Sequence, residues 1–461
     1  MQLKNIYYPL FTIPYPLFPI PYPLMIECTE GLATKSRGSL ASVKILVVGN
    51  GGREHAIVWA LLQSPQVTQV LCVPGNGGTA LMDRCQNLSF RVDDFAGIAR
   101  FAEVNGVSLV IIGPELPLSL GIVDYLQNRN IPVFGPTRAG AQIESSKTWA
   151  KAIMEEARVP TPKSATFTDL ASARAYIEQQ GAPIVVKADG LASGKGVVVA
   201  ETLQQALTAV ELLFAQDYGK LLIEEYLTGQ ELSVIALTDG KTIRALLPAQ
   251  DHKRIGDGDT GANTGGMGAY APAPLGTPAL MTRIQHEVLE PTLATLKRKG
   301  IDYRGVLYAG LMIAPNGEPK VLEFNCRFGD PETQAILPLL ATPLVELLLA
   351  CVEQRLAALP AIEWKPAVST CVTIAAQGYP GNYERGKIIT GIDSANTDGT
   401  VVFHAGTQLR QNRVVSDGGR VLGVTSTAPD FASAIDRAYQ GVRLITFEGM
   451  YYRQDIAQRA L

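Results

Sequence analysis

Two hard oxygen donors stand two residues apart in Val321-Leu322-Glu323-Phe324-Asn325-Cys326-Arg327-Phe328-Gly329-Asp330-Pro331-Glu332. The stretch opens as an alternating strand, so Val321, Glu323 and Asn325 are expected on one face, because successive strand side chains point to opposite sides. A carboxylate and an amide oxygen so placed reach a single cation. Mg2+ takes one or two protein ligands and completes its octahedron with water and phosphate oxygens. Arg327, Asp330 and Glu332 crowd the exit of the strand, and a solvated strand end held by salt bridges is the plainer alternative.

The elements that would bring phosphates to such a cation lie upstream. A helix is expected over 144–159, with Lys147 and Lys151 on one side, ended by Pro160 and Pro162. Strand 183–187 ends in Lys187 and continues as Ala188-Asp189-Gly190-Leu191-Ala192-Ser193-Gly194-Lys195-Gly196 before strand 197–200. Two strands joined by a glycine-rich loop with a lysine on each flank form a flap that closes over a triphosphate, offering N–H groups and positive charge. The spacing is not that of a Walker loop, and a plain glycine hairpin is the alternative. An apolar strand over 221–227, followed by Thr228-Gly229-Gln230-Glu231, offers its edge backbone to adenine and its acids to ribose hydroxyls.

Residues 250–270 contain six glycines and no apolar periodicity, so they are expected to form no core element. So long a structured loop is usually functional. Its Asp251, His252, Lys253 and Arg254 suit a small zwitterion or a phosphate.

The N-terminal part reads as α/β. Strand 44–49 runs into Asn50-Gly51-Gly52-Arg53-Glu54 and then an amphipathic helix over 55–63, an arrangement that presents backbone N–H groups to a phosphate. A dinucleotide fold would place a third glycine near 54 and an acid at the end of the next strand. Instead Glu54 and His55 occupy the turn, and strand 70–73 ends in Pro74-Gly75-Asn76-Gly77-Gly78. Strand 108–112 ends in Gly113-Pro114-Glu115 and a fourth in Phe134-Gly135-Pro136, the strand ends at which open α/β sheets bind ligands. His55 is either a ligand there or a helix residue with none. Beyond an apolar helix over 343–356, a last α/β segment starts at Ser369 and carries Phe403-His404-Ala405-Gly406-Thr407, Gly418-Gly419-Arg420-Val421-Leu422 and a helix over 431–444.

A length of 461 residues with 47% hydrophobic content allows two to four domains. A net charge of -3 leaves no basic excess for a nucleic-acid backbone. Six cysteines without a C-x-x-C pair point to neither zinc nor a disulfide framework, and fit a reduced, cytoplasmic enzyme. Residues 1–42 repeat Tyr-Pro-Leu every seven positions among further prolines, which block helix and sheet. They lack the unbroken apolar run of a signal peptide or membrane span, so a disordered leader is expected before a domain that begins at Val43.

These segments together resemble the ATP-grasp ligases and, within them, the glycinamide ribonucleotide synthetases, over about residues 43–461. The most specific runs are Gly49 to His55, Lys187 to Gly196, 250–270 and Glu323 to Glu332. The resemblance implies an α/β ATP-grasp fold with an N-terminal open α/β (pre-ATP-grasp) domain over 43–145, a central domain over 146–163 and 235–368, a lid over 164–234 and a C-terminal α/β domain over 369–461. It implies that ATP, glycine and 5-phosphoribosylamine give glycinamide ribonucleotide, ADP and phosphate through glycyl phosphate, in purine synthesis, in a cytoplasmic monomer with no nucleic-acid or membrane partner. For the nucleotide it implies Lys147, Lys187, Gly190, Ser193, Gly194, Lys195, Glu224, Glu225, Tyr226, Leu227 and Glu231. Mg2+ or Mn2+ falls on Glu323 and Asn325. Arg327 is implied for the glycine carboxylate, Asp251 for its ammonium, and Lys253 beside them among the catalytic groups. The phosphoribosyl group falls to Gly49, Asn50, Gly51, Gly52 and Arg53, with Gly75, Asn76, Glu115, Asn263, Thr264 and Gly265.

The chain departs from the family pattern in a short 214–220 connection, in Ala262 where proline is usual and in Ala457 where glycine is common. One carboxylate in the metal pair provides for one cation, not two. Rival readings are a carboxylase relative of the same superfamily, sharing lid and metal face, a nicotinamide oxidoreductase, and a catalytically dead nucleotide-binding regulator.

Overall fold

Strand Val43–Gly49 is apolar on both faces and lies at the centre of a parallel sheet. That sheet runs, in order, Cys85–Asn87, Val67–Pro74, Val43–Gly49, Leu109–Ile112, Val133–Phe134. The computed structural model describes residues 42–191, 196–216 and 218–461. Apart from Ser42, the leader expected over 1–42 lies outside these residues, as do Ser193, Gly194 and Lys195 of the flap.

The helix after the first turn is Gly52–Leu62, so it begins three residues earlier than expected. It is not amphipathic: every residue but Trp59 is buried, because its outer side is covered by strand Thr400–His404 and helix Glu332–Ile336 of later segments. The helix expected over 144–159 is two helices, Arg138–Ser145 and Lys147–Ala157. They break at Ser146, whose backbone is extended and whose hydroxyl accepts from Trp149 N, which leaves Lys147 in the first turn of the second helix.

The flap belongs to an antiparallel sheet ordered Ser164–Phe167, Leu221–Glu225, Ile184–Ala188, Val197–Ala200, with helices Leu170–Gln180 and Leu203–Ala215 packed on it around a core of their own. A second antiparallel sheet, ordered Ile243–Ala245, Gln230–Asp239, Arg304–Ile313, Pro319–Asn325, carries the carboxylate–amide pair on its edge strand.

The stretch 250–270 departs from expectation. It contains the hairpin Arg254–Gly256 and Thr260–Asn263, then strand Gly268–Ala271, all four residues of which are buried. That strand pairs with Val368–Ala376, Gly268 opposite Val372, and joins the sheet completed by Arg420–Ala428 and Thr400–His404. Four small or aromatic residues are too short a run to register as periodic, and the partner that buries them lies a hundred positions downstream.

Candidate active site

A bulge decides which side chains face the site. Across the edge pair Gly310 is opposite Glu323 while Leu311 is opposite Val321, so Leu322 has no partner. Neighbours in one strand face opposite ways, and so therefore do Glu323 and Val321. Val321 does not share the face of Glu323 and Asn325, contrary to the strict alternation expected; it turns into the core with Phe324. Glu323 and Asn325, opposite Gly310 and Tyr308, do share a face.

Glu323 has no hydrogen bond or ion pair among the described residues. Burial favours its neutral form, but Lys253, Lys187 and Lys147 hold its carboxyl below the ordinary value. Asn325 Oδ1 accepts from Arg327 Nη2 at 2.9 Å, which leaves it a second lone pair. An ionised carboxylate without a partner beside an amide oxygen with spare capacity fits a hard divalent cation.

Arg327 pairs with neither Asp330 nor Glu332. Its Nη2 lies 2.8 Å from Glu144 Oε1 and its Nε 3.5 Å from Glu115 Oε2. Glu144 also accepts from Cys326 N at 2.8 Å, fixing the strand exit. Burial opposes the arginine's charge, yet Glu144 and Glu115 hold it firmly protonated. The Nε–H is enclosed by protein and faces Glu115 without a hydrogen bond in good geometry.

The lysines reach the same strand. Lys187 Nζ is 2.6 Å from Glu224 Oε2 and donates to Leu322 O at 3.1 Å; Lys151 Nζ is 2.6 Å from Glu224 Oε1. A carboxylate as buried as that of Glu224 costs several kcal/mol unless paired, so the two lysines are what keep it in place. Its side chain is thus committed to the two lysines inside the protein. Lys147 Nζ donates to Gly190 O at 2.9 Å, and Asp189 accepts from Thr148 N at 3.2 Å and Thr148 Oγ1 at 2.7 Å, tying the base of the flap to the helix that starts at Lys147.

Strand Leu221–Glu225 is not the free edge expected. It lies inside its sheet, paired on both sides, and Glu225 Oε1 accepts from Lys320 Nζ at 2.9 Å and Lys163 N at 3.0 Å. Backbone available to a base begins only past the strand, at the exposed Tyr226 and at Leu227. Glu231 meets Lys253 Nζ at 2.5 Å. Lys253 is kept well above the ordinary lysine value: burial opposes its charge, and Glu231, Asp251 and Glu323 outweigh it. Burial pushes the Asp251 carboxyl up to about 7, Glu332 and Glu231 adding to the effect and Lys253 opposing it. Glu332 itself is held by Tyr308 Oη at 2.5 Å and Ser233 Oγ at 3.1 Å.

A second cluster forms where the N-terminal turn meets the later segments. Glu54 Oε2 accepts from Gly51 N at 2.6 Å, and its Oε1 accepts from Arg53 Nε at 2.5 Å. A Cβ on Gly49, at φ +129°, would strike that glutamate at 2.5 Å, so only glycine fits. Arg53 N donates to Asp330 Oδ2 at 3.4 Å and Arg53 Nη1 to Phe328 O at 3.2 Å, which brings the turn to the end of the central motif. Asn76 contacts backbone alone with its amide, donating to Asn50 O at 3.0 Å and His404 O at 2.8 Å, so it positions the turn and has nothing left for a ligand. Gly75 follows at φ +72°, packed on Asn87. Thr264 donates to Lys253 O at 2.8 Å, Asn263 pairs with Arg254, and Gly265 is held from the C-terminal segment by Tyr379 and Arg420. His55 is tied to the C-terminal segment, its Nδ1 accepting from His404 N at 2.7 Å.

Glu144, Asp189, Tyr379 and Arg420 were not among the expected site residues. Asp189 and Arg420 stand inside glycine-rich runs that the sequence marks as turns; nothing local distinguishes Glu144 or Tyr379.

A lysine-bearing flap sheet tied to an antiparallel sheet whose edge strand ends in a carboxylate–amide pair defines an ATP-grasp ligase. The family model for the ATP-grasp (A) domain of phosphoribosylglycinamide synthetase matches residues 145–333, that for its N domain 43–144 and that for its C domain 369–459. The chain belongs to the phosphoribosylglycinamide synthetase family. It is 64% identical over 422 residues to the phosphoribosylamine–glycine ligase of Nostoc sp., covering 90% of this chain and 99% of that protein. It is 55% identical to the enzyme of the same name from Synechocystis sp., covering 91% and 100%. The crystal structure of phosphoribosylamine–glycine ligase from Thermotoga maritima superposes with a TM-score of 0.77 at 32% identity, covering 90% of this chain and all of that one. Biotin carboxylase from Campylobacter jejuni shares the fold at 16% identity, with a TM-score of 0.69 over 90% of this chain and 93% of that one.

Proposed function

We propose that the chain joins glycine to 5-phosphoribosylamine at the expense of ATP, giving glycinamide ribonucleotide, ADP and phosphate, by way of glycyl phosphate. A glycine carboxylate oxygen attacks the γ-phosphorus and the bond to the β-bridging oxygen breaks, leaving ADP. The amine of phosphoribosylamine then attacks the activated carbonyl and phosphate departs, the amine giving up one proton. The single observation that carries this is Glu323, an ionised carboxylate with no described partner, on one face with Asn325 and in the field of Lys147, Lys187 and Lys253.

In this mechanism Lys147 and Lys187 offset the repulsion between glycine's carboxylate and the triphosphate. The Arg327 guanidinium takes the glycine carboxylate, and Asp251, once ionised, takes the ammonium, with Lys253 and Glu231 acting on its charge. Tyr226 and Leu227 offer backbone to adenine. The flap with Gly190 excludes water from the acyl phosphate. Gly49 to Arg53, Glu115 and Asn263 to Gly265 surround the phosphoribosyl group. Glu323 and Asn325 would hold Mg2+ or Mn2+, which when bound neutralises charge on the phosphates.

The division at 145 and 163 is compatible with the sheets, but a lid ending at 234 would cut strand Gln230–Asp239 of the central sheet, so we end the lid before 230; strands Gln250–Asp251 and Gly268–Ala271 pair with the C-terminal sheet. Five unpaired described cysteines support a cytoplasmic setting, and among the described residues no helix is long and apolar enough to cross a membrane. A monomer is expected on gel filtration. The test of function is phosphate release from ATP, Mg2+ and phosphoribosylamine with and without glycine: release that does not depend on glycine would sink the proposal.

A further inference from the structure

Gly265 is gripped at both ends of its peptide by one distant segment. Its N–H donates to Tyr379 Oη at 2.9 Å, and its carbonyl accepts from Arg420 Nη1 at 2.5 Å. The same Nη1 also reaches Asp330 O at 2.7 Å and Gly266 O at 3.3 Å, while Nη2 lies 3.3 Å from Asp330 Oδ1. Asp330 in turn accepts from Arg53 N through its other oxygen and from Gln334 Nε2 at 2.8 Å. One guanidinium therefore joins three segments remote in sequence, the 263–266 loop, the end of the central motif and, through Asp330, the Gly51–Arg53 turn. The approach leaves no slack: a Cβ on Gly265 would lie 3.1 Å from the guanidinium carbon, and one on Gly51 3.3 Å from Asp330 Oδ2. The base of this arginine is fixed as well, since Gly406 and Gly418 pack backbone to backbone and Gly419 lies against the Tyr379 ring.

We infer that Arg420 and Tyr379 are positioning residues for the phosphoribosyl substrate: they clamp the Gly265 peptide and, through Asp330, set its distance from the Gly51–Arg53 turn. Neither need touch the reacting atoms. The inference rests on the proposal that these two loops surround the phosphoribosyl group. Lys147 and Lys187 belong to other elements, and the clamp touches the central motif at Asp330 alone, beyond Glu323 and Arg327, so it acts chiefly on one substrate of three.

The test measures KM for phosphoribosylamine, glycine and ATP separately in Arg420→Lys and Tyr379→Phe, with Arg420→Ala and Gly51→Ala beside them. Lysine keeps the charge but loses the fork that sets Nη1 on the carbonyls and Nη2 on the Asp330 carboxylate, and Tyr379→Phe deletes one hydroxyl from a half-buried ring. KM for phosphoribosylamine should rise about tenfold in Arg420→Lys and about threefold in Tyr379→Phe, with kcat and the other two KM values within about twofold and the melting temperature unchanged. Arg420→Ala should be worse than Arg420→Lys. Equal changes in all three KM values with a lowered melting temperature would mean a merely structural tie and overturn the inference, as would no change in either conservative variant. Gly51→Ala separates the two levels: if it raises KM for phosphoribosylamine while the clamp variants do not, the positioning role alone fails; if it too leaves that KM unchanged, the phosphoribosyl site lies elsewhere.

Discussion

Lys187 donates to the carbonyl of Leu322 at 3.1 Å, and Leu322 is the residue that the bulge leaves without a partner across the sheet. A lysine of the flap sheet is thereby bonded to the strand that carries Glu323 and Asn325, so the two sheets share one contact. The same ammonium is the buried counter-charge of Glu224.

Glu224→Gln removes the charge that Lys151 and Lys187 share while keeping the shape. Breaking a buried pair from one side costs about 3–5 kcal/mol, and the amide still accepts one hydrogen bond, so a loss of about 3 kcal/mol in urea unfolding is expected. KM for ATP should rise as well, because Lys187 then loses its fixed position.

Glu323→Gln should lower kcat at least about a hundredfold with only a small fall in the unfolding midpoint, since three lysines lose the counter-charge of a carboxylate they hold below its ordinary value but no described side-chain hydrogen bond is broken. Asn325→Ala should raise the Mg2+ concentration needed for half-maximal rate by about tenfold. Full activity in Glu323→Gln would remove the metal assignment.

Asp251 makes a pH dependence readable. Its folded value is raised from 3.8 to about 7, so the folded state holds the extra proton. Stability from this group is complete below pH 3.8 and is lost as pH rises through about 7. Unfolding free energies of the wild type and Asp251→Asn should therefore diverge in the variant's favour between those limits and run parallel above them. Binding of the glycine ammonium needs the ionised form, so KM for glycine should fall as pH climbs through about 7, a trend absent in the variant.

The two buried histidines act in the opposite direction. Burial lowers His404 to about 4, and burial, followed by His404, holds His55 well below 6.5. Each contributes stability present above 6.5 that is lost as pH falls, for His404 through about 4. The wild type's advantage over His404→Asn in urea unfolding should shrink across that window.

Ala457 adopts φ +65° and is fully buried, its N–H donating to His252 Nε2 at 3.0 Å. A left-handed alanine costs about 1–2 kcal/mol, which glycine avoids at some cost in chain entropy. Ala457→Gly should raise unfolding free energy by about 0.5–1 kcal/mol with unchanged kcat.

Much of the architecture was legible in short-range pattern. Strand Val43–Gly49 and helix Phe431–Leu444 announce themselves by continuous apolar content and by 3.6-residue spacing, and the E-x-N pair by its donor types. The backbone at Ala457 is left-handed, a conformation that glycine adopts without steric cost and alanine does not.

What the sequence determined by itself was part of the inventory: the strands with continuous apolar content, the turns glycine permits, and that hard oxygens and lysines were available for phosphate chemistry, because these follow from a residue and its near neighbours. Tertiary structure decided how they are used. The bulge opposite Gly310 and Leu311 separates Val321 from Glu323, the pairing of Leu221–Glu225 on both sides uses up its backbone within the sheet, and Arg420 meets Gly265 from 155 residues away. In each case the deciding partner lies far along the chain, and burial against it sets orientation and charge in a way no local pattern encodes.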